Sequence, residues 1–129
     1  MAIPAELRYT TDHEWARDEG DGTYSVGVTD FAQENLGGVV YVELSAEGTG
    51  LAAGGRFGTV ESTKSVSEMY APISGEVVAK NAALDGEPEL VNSDPYGAGW
   101  MVKIRATASG EFAALMDAAA YEAHVAAGH

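Results

Sequence analysis

Three lysines and three histidines hold most of the chemistry open to this sequence. His13 stands beside Glu14, a pairing that could act as an acid/base couple or could simply be a capped turn with an exposed imidazole. His124 and His129 fall in the terminal segment. Lys103 alternates within a strand-like run and is expected to face solvent, and Lys80 ends another such run at a turn. Lys64 differs from both. It lies in the middle of Glu61-Ser62-Thr63-Lys64-Ser65-Val66-Ser67-Glu68, framed by small hydroxyl residues with an acid at either end. Such a lysine can be a solvated turn residue. It also has what an enzyme that acylates lysine requires, an unhindered ε-amine at the apex of a tight hairpin.

Other routes to catalysis are poorly supplied. No GxSxG, HExxH or phosphate-loop pattern occurs. Gly54-Gly55-Arg56-Phe57-Gly58 precedes a strand rather than a helix, so no helix dipole is available to anchor a phosphate. Asp18 to Gly22 lacks the ligand spacing of a calcium loop and reads as a hairpin turn. Glu87 and Glu89 read as solvated turn charges. The chain has no cysteine, which removes disulfides, thiolate metal sites and thiol nucleophiles. Any sulfur chemistry must therefore arrive on an attached group. No metal site and no catalytic residue is expected.

Composition narrows the partners. In 129 residues there are 20 acids against 7 bases, a net charge of −13. The excess is spread along the chain, with 11 acids to 3 bases before Lys64 and 9 to 4 from Lys64 onward. Such a chain cannot form the cationic footprint that nucleic acid or anionic membrane requires, and it favours steered encounters with basic protein surfaces. No apolar run approaches the ~18 residues of a membrane span. Met1 to Arg8 lacks the order of a secretion signal. The expectation is a bacterial cytoplasmic protein, with the mitochondrial matrix as the alternative, and a monomer.

The elements that must position Lys64 are short. Thr11 and Glu14 have capping-box spacing, which predicts one helical turn before Trp15. Tyr24–Val28 and Val39–Leu44 read as strands, with a short helix from Asp30 through Leu36 between them, stopped by Gly37. Phe57–Val60 and Val66–Ala71 are strands around a tip at residues 61–65. Val77–Lys80 and Met101–Arg105 complete the strands, with Asp85–Gly86 and Asn92–Gly99 read as turns. Phe112, Leu115, Met116 and Ala119 fall at helical spacing, predicting one C-terminal helix over about 110–125, with Glu122 to His129 fraying. Gly directly before a strand recurs at Leu36-Gly37-Gly38-Val39 and Ile73-Ser74-Gly75, a faint echo on either side of the tip. Short strands with peripheral helices make a mainly β sandwich or barrel.

Residues 60–78, VESTKSVSEMYAPISGEVV, closely resemble the lipoyl-attachment region of the glycine cleavage H-protein family. YTTDHEW from Tyr9, VGVTD from Val26 with Ala32 and Gln33, LGGVVYVEL from Leu36, and LVNSDPYG from Leu90 followed by Gly99 and Trp100 resemble its other blocks. The resemblance covers most of the chain. It implies a lipoyl/biotinyl-type barrel-sandwich hybrid decorated by short helices and a C-terminal helix, with lipoate amide-linked to Lys64. It implies a non-catalytic carrier that takes an aminomethyl group from a pyridoxal-phosphate glycine decarboxylase to a tetrahydrofolate-dependent aminomethyltransferase and is reoxidised by dihydrolipoamide dehydrogenase. A lipoate ligase or a lipoyl/octanoyl transferase would load it. Matching positions place Glu14, Glu68 and His13 at a cleft for the loaded arm, and Asp12 adds a charge there that family members often lack. Biotin carriers have Met on both sides of their lysine, where this chain has Thr63 and Ser65. The remaining alternatives are a lipoyl relay protein and the lipoyl domain of a 2-oxoacid dehydrogenase.

Overall fold

A computed structural model describes residues 2–108 and 110–128. The strands are β1 (Arg8–Tyr9), β2 (Glu14–Asp18), β3 (Thr23–Val28), β4 (Val39–Leu44), β5 (Gly50–Leu51), β6 (Arg56–Ser62), β7 (Val66–Tyr70), β8 (Gly75–Lys80) and β9 (Val102–Ala106). Between and after them lie five short helices: α1 (Asp30–Leu36), α2 (Ala83–Gly86), α3 (Leu90–Ser93), α4 (Glu111–Ala114) and α5 (Ala118–Ala126). The strands form two antiparallel sheets, ordered β1-β2-β3-β9-β8-β5 and β4-β6-β7. None of the described helices is long and apolar enough to cross a membrane.

Alternation of side chains explains how the sheets meet. Val26, Val28, Val77, Val102 and Ile104 from the larger sheet and Val39, Val42, Phe57, Val60 and Met69 from the smaller one form one buried cluster. The two echoed glycine–strand segments fall on opposite sides of this cluster, in β4 and in β8. A second cluster of Leu7, Tyr9, Trp15 and Tyr121 joins β1 and β2 to the C-terminal helix. Tyr9 and Tyr121 stack there with ring centroids 4.6 Å apart.

Helix α1 runs as its sequence dictates. The Thr29 hydroxyl accepts from Ala32 N–H at its start, and Gly37 (φ 77°) ends it by donating to the Gln33 carbonyl. Elsewhere competing interactions decided otherwise. The turn expected at Thr11–Glu14 is not helical, because Glu14 already pairs with Val28 as the first residue of β2. Its cap is Thr10 instead, whose hydroxyl accepts from Glu14 N–H at 3.1 Å. The segments read as turns around residues 85 and 92 contain α2 and α3, single turns too short to show a periodic pattern, each anchored by a buried residue, Leu84 and Val91.

The expected single terminal helix is broken in two. Met116 leaves the helical path to form a β-bridge with Tyr9, and Asp117 then caps α5 by accepting from Ala120 N–H. The bridge pairs both backbone groups of Met116 with Tyr9, and the cap satisfies one of the free N–H groups at the start of α5. Tyr121 is fully buried, so α5 holds its fold through Ala126 where fraying was expected from Glu122; His129 lies outside the described residues.

β8 approaches β9 so closely that a Cβ at Gly75 would collide with the Arg105 carbonyl oxygen and stand 2.5 Å from Ile104 Cγ2. Both obstacles belong to a paired core strand that cannot yield cheaply. Gly75→Ala is therefore expected to destabilise the fold by about 1–3 kcal/mol, read as a lower urea midpoint at an unchanged slope. A midpoint matching the parent would contradict this packing.

Candidate lysine-acceptor site and adjoining cleft

Lys64 sits at the apex of the β6–β7 hairpin. Pairing runs from Thr59↔Glu68 through Glu61↔Val66, so the strands are closed up to the last residue before the tip. Ser62 N–H donates to the Ser65 carbonyl at 2.8 Å, and the Ser62 hydroxyl accepts from Ser65 N–H at 3.1 Å and from Lys64 N–H at 3.3 Å. The tip is thus tighter than the expected 61–65 segment, with Thr63 and Lys64 at its apex. The flanking serines that looked merely small are the groups that fix the turn.

The tip does not stand free on all sides. Thr63 N–H donates to the Gly38 carbonyl at 2.9 Å, tying the hairpin to the α1–β4 junction. A Cβ at Gly37 would lie 3.3 Å from Lys64 Cε, so the lysine stem runs over this residue. Gly37 thus answers two demands, a left-handed φ and a close approach. Asn92 of α3 braces the same junction from behind: its Oδ1 accepts from Val39 N–H at 2.8 Å and its Nδ2 donates to the Gly37 carbonyl at 2.8 Å. Lys64 itself is exposed, as is Lys80, while Lys103 is half-buried in β9.

Next to the tip, a cleft of about 300 Å³ opens between α1 and β7. Val28, Ala32, Leu36 and Met69 give it an apolar floor, while Asp12, His13, Asn35, Ser65, Ser67, Glu68 and Tyr70 give it a polar rim. Three sequence-predicted residues therefore arrive at different positions around one feature. Glu68 is on the rim, where its Oε2 accepts from the Tyr70 hydroxyl at 3.2 Å, a contact that raises the phenol's affinity for its proton. His13 is also on the rim. Its φ of 70° is the one left-handed value among the described non-glycine residues. Its Nδ1 lies 2.8 Å from the Tyr121 hydroxyl, which in turn lies 2.7 Å from the Thr29 hydroxyl. Its ring packs 4.6 Å from Phe31. A larger cavity of about 440 Å³, bounded by Tyr24, Ile73 and Phe112, is lined by none of these residues.

Glu14 lies behind the cleft, 1% exposed. Its Oε1 accepts from the Thr10 hydroxyl at 2.7 Å and its Oε2 from Tyr70 N–H at 3.1 Å, joining β2 to the strand that bears Glu68. Burial pushes its carboxyl up to about 7 from an ordinary 4.5; the two hydrogen bonds oppose the rise and the Asp12 charge adds to it. The His13–Glu14 pair anticipated as a possible acid/base couple is divided between two networks, His13 with Tyr121 and Glu14 with Thr10 and Tyr70.

The model of the glycine cleavage H-protein family matches residues 7–127. The chain belongs to that family. It is 54% identical over 127 residues to the glycine cleavage system H protein of Mycolicibacterium vanbaalenii, covering 96% of this chain and 97% of the relative. It is 55% identical over 121 residues to that of Cronobacter sakazakii, covering 94% of each. The crystal structure of a glycine cleavage system H protein from Mycobacterium marinum matches with a TM-score of 0.87 at 41% identity, over 96% of this chain and 99% of that one. The mainly β fold with short helices expected from the sequence is thus the fold observed.

The groups that hold Lys64, His13 and Glu68 in place carried little signal in the sequence. Asn92 sat in a stretch read as a turn and as a block resembling the family, with nothing to mark its side chain as a brace. Tyr121 offered just one signal, an aromatic residue in an Ala-rich segment. Thr10 was passed over for Thr11, whose spacing matched a pattern.

The Glu14 carboxyl yields a pH dependence whose sign is fixed. A carboxyl whose folded value lies above its unfolded one binds its proton more tightly in the folded state, so stability falls as pH rises from about 4.5 to about 7 and then levels. The shift corresponds to roughly 3 kcal/mol over that window. Glu14→Gln is expected to flatten this component, so the parent and variant urea midpoints diverge in the variant's favour between pH 5 and pH 7. Parallel profiles would contradict the buried placement.

Proposed function

We propose that this chain is a lipoyl-bearing carrier of glycine cleavage, with lipoate amide-linked to Lys64 Nζ. The observation that carries the proposal is the placement of Lys64, exposed at a rigid two-residue apex and adjacent to a cleft with an apolar floor and an acidic rim. These residues suit the group. Closed strands present the amine to a modifying enzyme, and the neighbouring cleft could shelter an apolar chain that ends in a cation.

Attached at Lys64, lipoate would supply the sulfur that this cysteine-free chain lacks, the chemistry needed for carrying an aminomethyl group and for dithiol–disulfide exchange. The protein's own contribution is positional. Ser62 and Ser65 set the direction of the Lys64 stem, and the Thr63–Gly38 hydrogen bond fixes the tip against α1. Glu68 and Asp12 place negative charge at the cleft mouth, where a cationic cargo would be held. Val28, Leu36 and Met69 exclude water from the floor. His13, fixed by Tyr121, closes the end nearest α5.

In this role the chain is a shuttle and not a catalyst. It serves in turn a pyridoxal-phosphate glycine decarboxylase, a tetrahydrofolate-dependent aminomethyltransferase and dihydrolipoamide dehydrogenase, and it is first loaded by a lipoate ligase or a lipoyl/octanoyl transferase. Family membership and the 54% identity to a glycine cleavage system H protein favour this over the lipoyl domain of a 2-oxoacid dehydrogenase.

Lys64→Arg keeps the charge and the tip, but guanidinium does not replace the amine as an acyl acceptor. The variant is expected to melt with the parent and to support no glycine cleavage above background in a reconstituted assay. Full activity would refute the assignment.

A further inference from the structure

Among the described residues, three large apolar side chains stay exposed: Val40 at 56%, Tyr41 at 50% and Val66 at 64%. All three lie on the small β4-β6-β7 sheet. Scattered exposed apolar residues are ordinary, but a cluster ringed by charge marks an interaction surface.

The cluster has a structural origin. Strict alternation along β4 would bury one of Val40 and Tyr41. An irregularity in the register between Val39 and Tyr41 instead turns both outward, between the buried Val39 and Val42. Tyr41 pairs with Glu61, and Glu61 pairs with Val66, so Tyr41 and Val66 share one cross-strand row on the outer face. The next outward row is Glu43, Thr59 and Glu68. Arg56 sits at the end away from the tip, donating to the Thr59 hydroxyl at 2.9 Å. The result is a face on which Tyr41 and Val66 flank Glu61, with Glu43 and Glu68 in the next row, beginning two residues from Lys64.

We infer that this outer face, centred on Tyr41 and Val66, is the docking surface for the enzyme that acylates Lys64. The inference rests on the proposed acylation of Lys64. Distance selects this partner among those that visit the tip. The lysine amine is only about 6 Å from its own Cα by ordinary bond lengths, so an enzyme forming a bond at Nζ must cover the adjoining strands. An enzyme working at the far end of an attached arm is under no such constraint.

The step itself is an acyl transfer. The unprotonated Lys64 amine attacks the carbonyl carbon of an activated carboxylate such as an acyl adenylate. The new C–N bond forms as the C–O bond to the adenylate breaks, AMP leaves with the electron pair, and the amine's surplus proton passes to solvent. The partner surface that fits offers apolar groups to Tyr41 and Val66 and lysine or arginine to Glu61, Glu43 and Glu68, in keeping with the net charge of −13. A transient contact at the small end of specific interfaces, below ~1,200 Å², is enough.

The test compares wild type with Tyr41→Ser/Val66→Ser in acylation by a purified lipoate ligase with ATP and lipoate, followed by intact mass. The double variant is expected to show a KM for the carrier raised about tenfold or more, with kcat within about twofold, because an anchor is lost but the amine is not. Its melting temperature should match the parent, since both side chains are exposed. Each protein, driven to full acylation with excess ligase, should then show the same KM with glycine decarboxylase. An unchanged ligase KM in the variant overturns the docking surface while leaving Lys64 as the acceptor. An equal rise in the decarboxylase KM also overturns it. So does a wild-type dimer that the substitutions dissociate. Wild type that takes up no acyl group overturns the Lys64 assignment and the docking surface together.

Discussion

The arrangement of the site depends on how the hairpin tip is tied down, by the β4–β6 ladder up to Val39↔Ser62 and, just beyond it, by the hydrogen bond from Thr63 N–H to the Gly38 carbonyl. A β-hairpin tip projecting alone into solvent would sweep a range of orientations, and the lysine on it would have no fixed relation to the cleft beside it. The bond joins the tip of β6–β7 to the chain leaving α1, and Gly37 leaves room for the Lys64 stem to lie along that junction. Asn92 then spends both ends of its amide on the two residues flanking Gly38, so α3 stiffens the same point from behind. The amine remains exposed while its stem is held. That combination suits a residue that one enzyme must find and a cleft must afterwards receive.

The cleft is organised from farther away than its lining suggests. The C-terminal helix contributes nothing to the lining, yet its buried Tyr121 reaches both the rim histidine and the threonine that caps α1. Burial pushes the Tyr121 hydroxyl up to about 12, so it remains a protonated hydrogen-bonding partner at physiological pH. The left-handed backbone at His13 costs of order 1–3 kcal/mol, and the Tyr9–Tyr121 stack and the Tyr9–Met116 bridge are the packing that holds it. Glu14 plays a corresponding part on the other side, linking Thr10 to the backbone of Tyr70 beneath the Glu68 rim. Burial there raises its carboxyl to about 7, so it is about half protonated near neutral pH and can respond to a charge placed nearby.

What the sequence disclosed and what it withheld divide along physical lines. Elements governed by local rules were legible: α1 with its Gly37 stop, the alternating runs of β3 and β9, the β-branched runs of β4 and β8, and the hairpin that presents Lys64. Elements decided by distant partners were not. Thr11 and Glu14 carried a helix-cap spacing, but pairing with Val28 drew Glu14 into a strand. The periodicity from Phe112 to Ala119 predicted one helix, until Met116 found Tyr9 across the fold. Asn92 and Tyr121 could not be recognised as supports because nothing local marks a residue whose partners lie 55 and 108 positions away. The bulge that turns Val40 and Tyr41 outward was equally invisible, since the run Val39–Leu44 reads as an ordinary strand.

Lys64 is the proposed single acceptor of an acyl group. The most direct measurement is intact mass of the protein after incubation with lipoate ligase, ATP and lipoate, followed by peptide mapping. The geometry predicts one lipoyl group per chain, located on Lys64. No mass increment, or an increment mapped to Lys80 or Lys103, would contradict it.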